Sequence, residues 1–120
     1  MAAKTKVFFD LNIILDVLQN REPFYEASAR LLAYAETGKI QGFIAPHSLT
    51  TLFYLVSKDQ SAAKARATIT NLLQFLCVAK IDQSTIEQAM SLSYRDFEDA
   101  VQMISAVQCK SDYFVTRNPK

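Results

Sequence analysis

Asp10, Asp96, Asp99 and Asn118 are the side chains here whose types and places suit the holding of a cation. Asp10 closes the short apolar run Val7-Phe8-Phe9. Folding does not need an acid directly after a buried run, so it must be satisfied by a cap, a cation or water. Asp96, Glu98 and Asp99 fall within one four-residue stretch, three of the chain's twelve acids. Taken alone, that cluster reads equally well as ordinary helix chemistry, because the helix dipole favours acids in a first turn. Asn118 stands three residues past Val115, the last apolar residue of another short run. Gathered in one cleft, these groups become sharper. Two carboxylates about 4 Å apart repel by on the order of 4 kcal/mol at an effective dielectric near 20. No lysine or histidine adjoins them in sequence. A hard divalent cation is the natural counter-charge, since Mg²⁺ needs only one or two carboxylates with waters and substrate phosphates. Such an ion activates water and clamps a phosphodiester in line.

Other chemistries find less support. His47, the single histidine, follows Pro46 and reads as a loop or cap residue within reach of the same cleft. Ser48, Thr50 and Thr51 read as a helix start with polar outer positions. There is no Ser/His/Asp nucleophile elbow. Cys77 and Cys109 lack a neighbouring base, cannot form a zinc site alone, and are expected to be two buried thiols in a reducing compartment. Two glycines, Gly38 and Gly42, leave no Gly-rich phosphate loop. Thirteen basic against twelve acidic residues give a net charge of +1, so no global basic field holds nucleic acid. With 120 residues, 50% hydrophobic and 21% charged, the chain fits one globular domain and not a disordered or fibrous one. No leader pattern opens it, and no apolar run nears the roughly 20 residues of a membrane span. A cytoplasmic protein is expected.

The elements that must position these groups alternate. Val7-Phe8-Phe9 reads as a strand buried on both faces, as in a parallel sheet. A short helix follows from Asn12, broken at Arg21-Glu22-Pro23. Residues 24–37 carry Phe24, Ala27, Leu31, Leu32 and Ala35 at helical spacing, with Gly38 as the stop. Gly42-Phe43-Ile44-Ala45 is a second strand, closed by Pro46. Ser48 and Ser61 are expected to cap two helices, which turn Leu49, Leu52, Phe53 and Val56, then Ala65, Ile69, Leu72 and Leu76, inward. Cys77-Val78-Ala79 is a weak third strand. Ser84 starts a helix through Leu92, Asp96 caps one holding Phe97, Ala100, Val101 and Ile104, and Tyr113-Phe114-Val115 is the last strand. Strands alternating with helices mean an α/β sandwich with a parallel sheet, and ligands of such sheets bind beyond the strands' carboxyl ends.

Three segments together resemble the PIN-domain family, the metal-dependent ribonuclease fold that includes VapC-type toxins. Val7-Phe8-Phe9-Asp10-Leu11-Asn12-Ile13-Ile14-Leu15-Asp16 is similar to its strand and D-x-N-x-x-x-D opening. Asp96-Phe97-Glu98-Asp99-Ala100-Val101-Gln102 is similar to its later acidic helix, and Asp112-Tyr113-Phe114-Val115-Thr116-Arg117-Asn118 to its strand ending in T-R-N or T-R-D. The resemblance implies a three-layer sandwich of short parallel strands flanked by helices. It implies a Mg²⁺- or Mn²⁺-dependent endoribonuclease acting on RNA phosphodiesters, the toxin of a toxin–antitoxin pair. Carried over, Asp10 and Asp99 are the principal metal ligands, Asp96 an accessory acid, and Asn118 the position that is Asp or Asn in the family. Asn12 braces the Asp10 loop, Asp16 stands behind it, Thr116 orients the site and Arg117 meets a phosphate.

The chain departs from the family in two places. The helix after the second strand usually carries a Glu, but Ser48-Leu49-Thr50-Thr51-Leu52-Phe53-Tyr54 has no acid. One lost charge weakens metal affinity and opens a second reading, a PIN-like module that binds RNA or protein without cleaving. The family also runs on past T-R-N through an Asp-Phe pair and another strand. The sequence stops at Lys120, so a single domain over 1–120 without its last strand is expected. A homodimer is expected through helix faces bearing Tyr25, Tyr34 and Tyr54, and a cognate antitoxin over the cleft. A haloacid-dehalogenase-like phosphatase wants an acid where Asn12 stands, and a receiver domain wants a middle-strand Asp and a late Lys; neither fits.

Overall fold

Successive side chains of a strand face opposite ways, so the run Val7-Phe8-Phe9 needs cover on both sides. The computed structural model, which describes residues 4–93 and 96–116, gives it that cover. β1 (Thr5–Phe9) is an inner strand of a four-stranded parallel sheet in the order β3-β2-β1-β4. Its neighbours are β2 (Ile40–Ile44), β3 (Leu76–Val78) and β4 (Tyr113–Val115). Val7 and Phe9 pack with Ile14, Ala35, Leu52, Val56 and Leu72 on one face. Those residues come from α1 (Leu11–Leu18), α2 (Tyr25–Glu36), α3 (Pro46–Asp59) and α4 (Ala62–Leu73). Phe8 packs with Ala45, Ala79, Ala106 and Phe114 on the other face, beneath α6 (Phe97–Gln108). α5 (Gln83–Met90) joins α6 through Ala89, Ala100 and Val101. The expected three-layer α/β sandwich is therefore the fold observed.

Helix ends set where the loops go. Three helices end with a backbone N–H reaching back five residues: Arg21 to the Asp16 carbonyl, Lys39 to Tyr34 and Ser111 to Ala106. Each turn has a left-handed residue before it, Asn20, Gly38 and Lys110, which is the Schellman arrangement. Gly38 was legible as a stop; Asn20 and Lys110 were not. Ser61 and Asp96 cap α4 and α6 as expected. α3 instead begins at Pro46, whose fixed φ suits a first helical position, and this leaves Ser48 fully buried inside the first turn rather than capping it. α5 is capped by Asp82, not begun by Ser84, in a reciprocal box with Thr85. The Thr85 N–H, then its hydroxyl, hold the Asp82 carboxyl below its ordinary value of 3.8.

Two further details correct or sharpen the sequence reading. The cysteines are not both buried: Cys77 is exposed and Cys109 half-buried. Cys77 lies on β3, an edge strand of three residues, where only Leu76 turns into the core; Leu76 thus begins β3 and does not extend the helix before it, which ends at Leu73. Gly42 is required by a close approach. A Cβ there would fall 2.6 Å from Leu76 Cδ2, 2.7 Å from Phe9 Cε2 and 3.3 Å from Ala35 Cβ, so a side chain would force these packed groups to shift. Among the described residues no helix is long and apolar enough to cross a membrane.

Candidate active site

Strand register brings the first two groups together. The Lys6 N–H donates to Asp112 Oδ2 at 2.8 Å, and the Asp112 N–H returns to the Lys6 carbonyl at 2.7 Å. With the strands' lower ends pinned, Val7 pairs with Tyr113 and Phe9 with Val115. One residue on, the Asp10 N–H donates to the Val115 carbonyl at 3.0 Å. Thr116 is thereby carried to Asp10, and its hydroxyl donates to Asp10 Oδ2 at 2.9 Å. Asp10 as a residue is 7% exposed, at the carboxyl end of the sheet, where ligands of parallel sheets bind.

α1 and the turn after it form one wall. Asn12 Nδ2 approaches Asp10 Oδ2 at 3.4 Å, while its Oδ1 accepts from Arg21 Nη1 at 3.3 Å. That second contact fixes which way the amide faces, because an acceptor of the guanidinium must present its NH₂ end to the carboxylate. The Schellman turn after α1 returns Arg21 over the helix, and the same Nη1 lies 3.9 Å from Asp16 Oδ1. Arg21 Nε is engaged by Gln19 Oε1 at 2.8 Å. Asp16 is fully buried, and the Ser28 hydroxyl of α2 donates to its Oδ2 at 2.9 Å. A buried carboxylate requires such partners, and here they tie two helices and a loop to Asn12.

α6 forms the opposite wall. Gln102, 1% exposed, points Nε2 at Asp10 Oδ1 at 3.4 Å. Its Oε1 is buried without a hydrogen-bond partner among the described residues. Asp99 lies three residues earlier, on the same helix stripe, about 4.5 Å of rise away, and is half-buried. Asp96 Oδ1 accepts the N–H groups of Glu98 at 2.9 Å and Asp99 at 3.4 Å, fixing the helix start. The far end of α6 is held to α5 by Thr85, whose hydroxyl meets Gln108 Oε1 at 2.6 Å.

Beside this site runs an apolar groove of about 540 Å³ lined by Pro46, Thr50, Ile81, Ile86, Phe97 and Val101. His47 sits on it, Nε2 3.4 Å from Glu98 Oε2, a charge-pair distance without hydrogen-bond geometry. His47 thus belongs to the groove and not to the hydrogen bonds around Asp10.

The structure brings Asp10, Asn12 and Thr116 into contact, sets Asp16 behind them, and turns the Asp99 stripe of α6 toward Asp10. Arg117 and Asn118 lie outside the described residues. Gln102, Arg21 and Ser28 carry the network and were not given roles by the sequence. A signal existed for two of them: Gln102 and Ser28 are polar residues in otherwise buried helical stripes. The side chains on Asp10 offer only oxygen and amide groups. Carboxylate, hydroxyl and carbonyl oxygens suit a hard cation such as Mg²⁺ or Mn²⁺, and the unsatisfied Gln102 Oε1 fits one. Among the described residues no three His, Cys, Asp or Glu side chains gather closely enough to hold an ion unaided.

Comparison with known proteins agrees in fold and family. The family described as PIN domain matches residues 6–120. Ribonuclease VapC1 of Aquifex aeolicus is 26% identical over 106 residues, covering 84% of this chain and 73% of that protein. Among solved structures, a toxin–antitoxin complex from Klebsiella pneumoniae superposes with a TM-score of 0.73 at 21% identity, over 95% of this chain and 88% of that one. Mycobacterium tuberculosis VapC20, a toxin that cleaves the sarcin–ricin loop, gives 0.72 at 16% identity, over 95% and 91%. VapBC2 from Rickettsia felis, bound to a DNA fragment from its promoter, gives 0.69 at 17%, over 97% and 90%.

Proposed function

This chain belongs to the PIN-domain family, and from that premise we infer that it is a divalent-cation-dependent endoribonuclease, the toxin of a toxin–antitoxin pair. The observation that carries the reading is the buried Asp10 carboxylate at the sheet's carboxyl end, held from both sides and adjoined by the helix that bears Asp99. Asp10 and Asp99 would hold the ion, with Thr116 beside Asp10 and Asp96 fixing the helix on which Asp99 rides; Asn118 matches the family position that is Asp or Asn. A bound Mg²⁺ or Mn²⁺ lowers the pKa of water and offsets charge on the phosphodiester.

The protein's own part is placement. Thr116 and Asn12 both donate to Asp10 Oδ2 and hold the carboxylate in one orientation before any ligand arrives. Arg21 keeps the Asn12 amide turned the right way. Arg117, next to Thr116, is suited to meet a substrate phosphate. The antitoxin reading is supported by the two structural neighbours that are toxin–antitoxin or VapBC assemblies. Tyr34 and Tyr54, 39% and 61% exposed, support the pairing of two copies, while Tyr25 is half-buried.

The test is cleavage of an RNA panel by the purified chain with Mn²⁺, with EDTA, and as Asp10→Asn. Cleavage that needs the cation and vanishes in the variant supports the reading; cleavage unchanged by both treatments removes it. A second reading, a PIN fold that binds without cleaving, is favoured by α3, whose only acid is its last residue, Asp59. Millimolar Mn²⁺ that neither raises the melting temperature nor supports cleavage selects that one.

A further inference from the structure

We propose that Gln102 is an oxygen ligand of the bound cation, a neutral substitute for the acid that α3 lacks. The proposal rests on the metal-dependent reading of the Asp10 site. Its starting point is an oddity of the α6 wall. Gln102 is 1% exposed and its amide meets Asp10, yet Oε1 has no hydrogen-bond partner among the described residues. Buried carbonyl oxygens are nearly always satisfied, so an orphan beside a carboxylate calls for a partner that brings positive charge. A cation is such a partner, and amide carbonyls are established ligands of hard divalent ions.

The placement on α6 agrees. Asp99 and Gln102 share one stripe three residues apart, so an ion held between Asp10 and Asp99 lies along the helix face that presents the Gln102 amide. One amide can serve both ends of the task. Nε2 braces Asp10 Oδ1, and Oε1 adds a donor atom without a third negative charge. Two carboxylates and a neutral oxygen repel each other less than three carboxylates do, which lets the empty site fold without an ion. The same exchange makes the ion weaker-held than an all-acid set would.

Mn²⁺ binding to the intact chain, measured by titration calorimetry, tests this in wild type, Gln102→Met, Gln102→Glu and Asp10→Asn, each first checked for a cooperative melt. Gln102→Met keeps the volume and removes the oxygen; its Mn²⁺ affinity should fall about tenfold. Gln102→Glu restores a charge and should bind more tightly than wild type. If the amide only braces Asp10, Gln102→Met also lowers Mn²⁺ affinity, but Gln102→Glu, which loses the brace and supplies no ligand, then binds no more tightly than wild type, which overturns the proposal. Should Gln102→Met fail to fold, Gln102→Glu decides, and an affinity no higher than wild type overturns it. A wild-type chain that takes no Mn²⁺ sinks the nuclease reading and this one together. Mn²⁺ binding that is lost in Asp10→Asn but unchanged in Gln102→Met sinks this one alone.

Discussion

On the α1 side of Asp10, polar groups are locked to one another: Asn12 to Arg21, Arg21 to Asp16, Asp16 to Ser28. On the α6 side the buried Gln102 amide meets the carboxylate through its nitrogen, and its oxygen has no partner among the described residues. The first wall resembles a domain core, with its charge paired and its geometry fixed in advance. The second keeps capacity in reserve. The difference teaches where free energy is spent in this site: the α1 wall contributes to folding and orientation, and the α6 wall leaves binding to be completed by something that arrives.

The division is tested most severely at the group both walls share. Asp10→Asn should lower RNA cleavage on the order of a thousandfold or more, with the melting temperature close to wild type; a large drop in stability would mean that Asp10 belongs to the fold. Next, Asp16→Ala should cost about 3 kcal/mol in urea unfolding, because it strands the Ser28 hydroxyl and unpairs Arg21, yet a folded sample should still bind Mn²⁺. Ser28→Ala should cost less, about 1–2 kcal/mol. Arg21→Met should cost about 1–2 kcal/mol, because it takes the cation from the buried Asp16 carboxylate, and reduce cleavage about tenfold by freeing the Asn12 amide; equal loss of cleavage and of stability in these three variants would erase the contrast between the walls. The smallest effect concerns the support behind α6. Because the Asp82 carboxyl is held below 3.8, its cap on α5 is present above the ordinary carboxylate value and is lost as pH falls through the lower, folded one. The Thr85 amide resonance should therefore titrate with a midpoint below 3.8, and a midpoint above it contradicts the box.

Legibility in the sequence followed the range of the interaction. Val7-Phe8-Phe9 and the strand–helix alternation announced a parallel sheet with cover on both faces, because periodicity is a local property. Ser61, Asp96 and Gly38 were readable as helix ends, since caps act over a few residues. Asp10 was readable as a site residue from its place directly after a buried run, Asn12 and Thr116 only through the resemblance of their motifs. What escaped was tertiary. Arg21 reaches Asn12 because a left-handed Asn20 turns the chain back. Ser28 is buried because an acid on another helix needs its hydroxyl, and Ser48 is buried because Pro46 starts α3 early. Composition cannot tell a polar residue on a buried stripe from one on an outer face until the partner element is known.

The paired hydrogen bonds between Lys6 and Asp112 carry one last implication. They hold β4 to a fixed count, so that the fourth residue after Asp112 arrives with its hydroxyl at Asp10. A strand alternates its faces at every step. Swapping side chains along 113–115 should therefore be tolerated far better than inserting or deleting one residue there, which would turn the hydroxyl to the opposite surface.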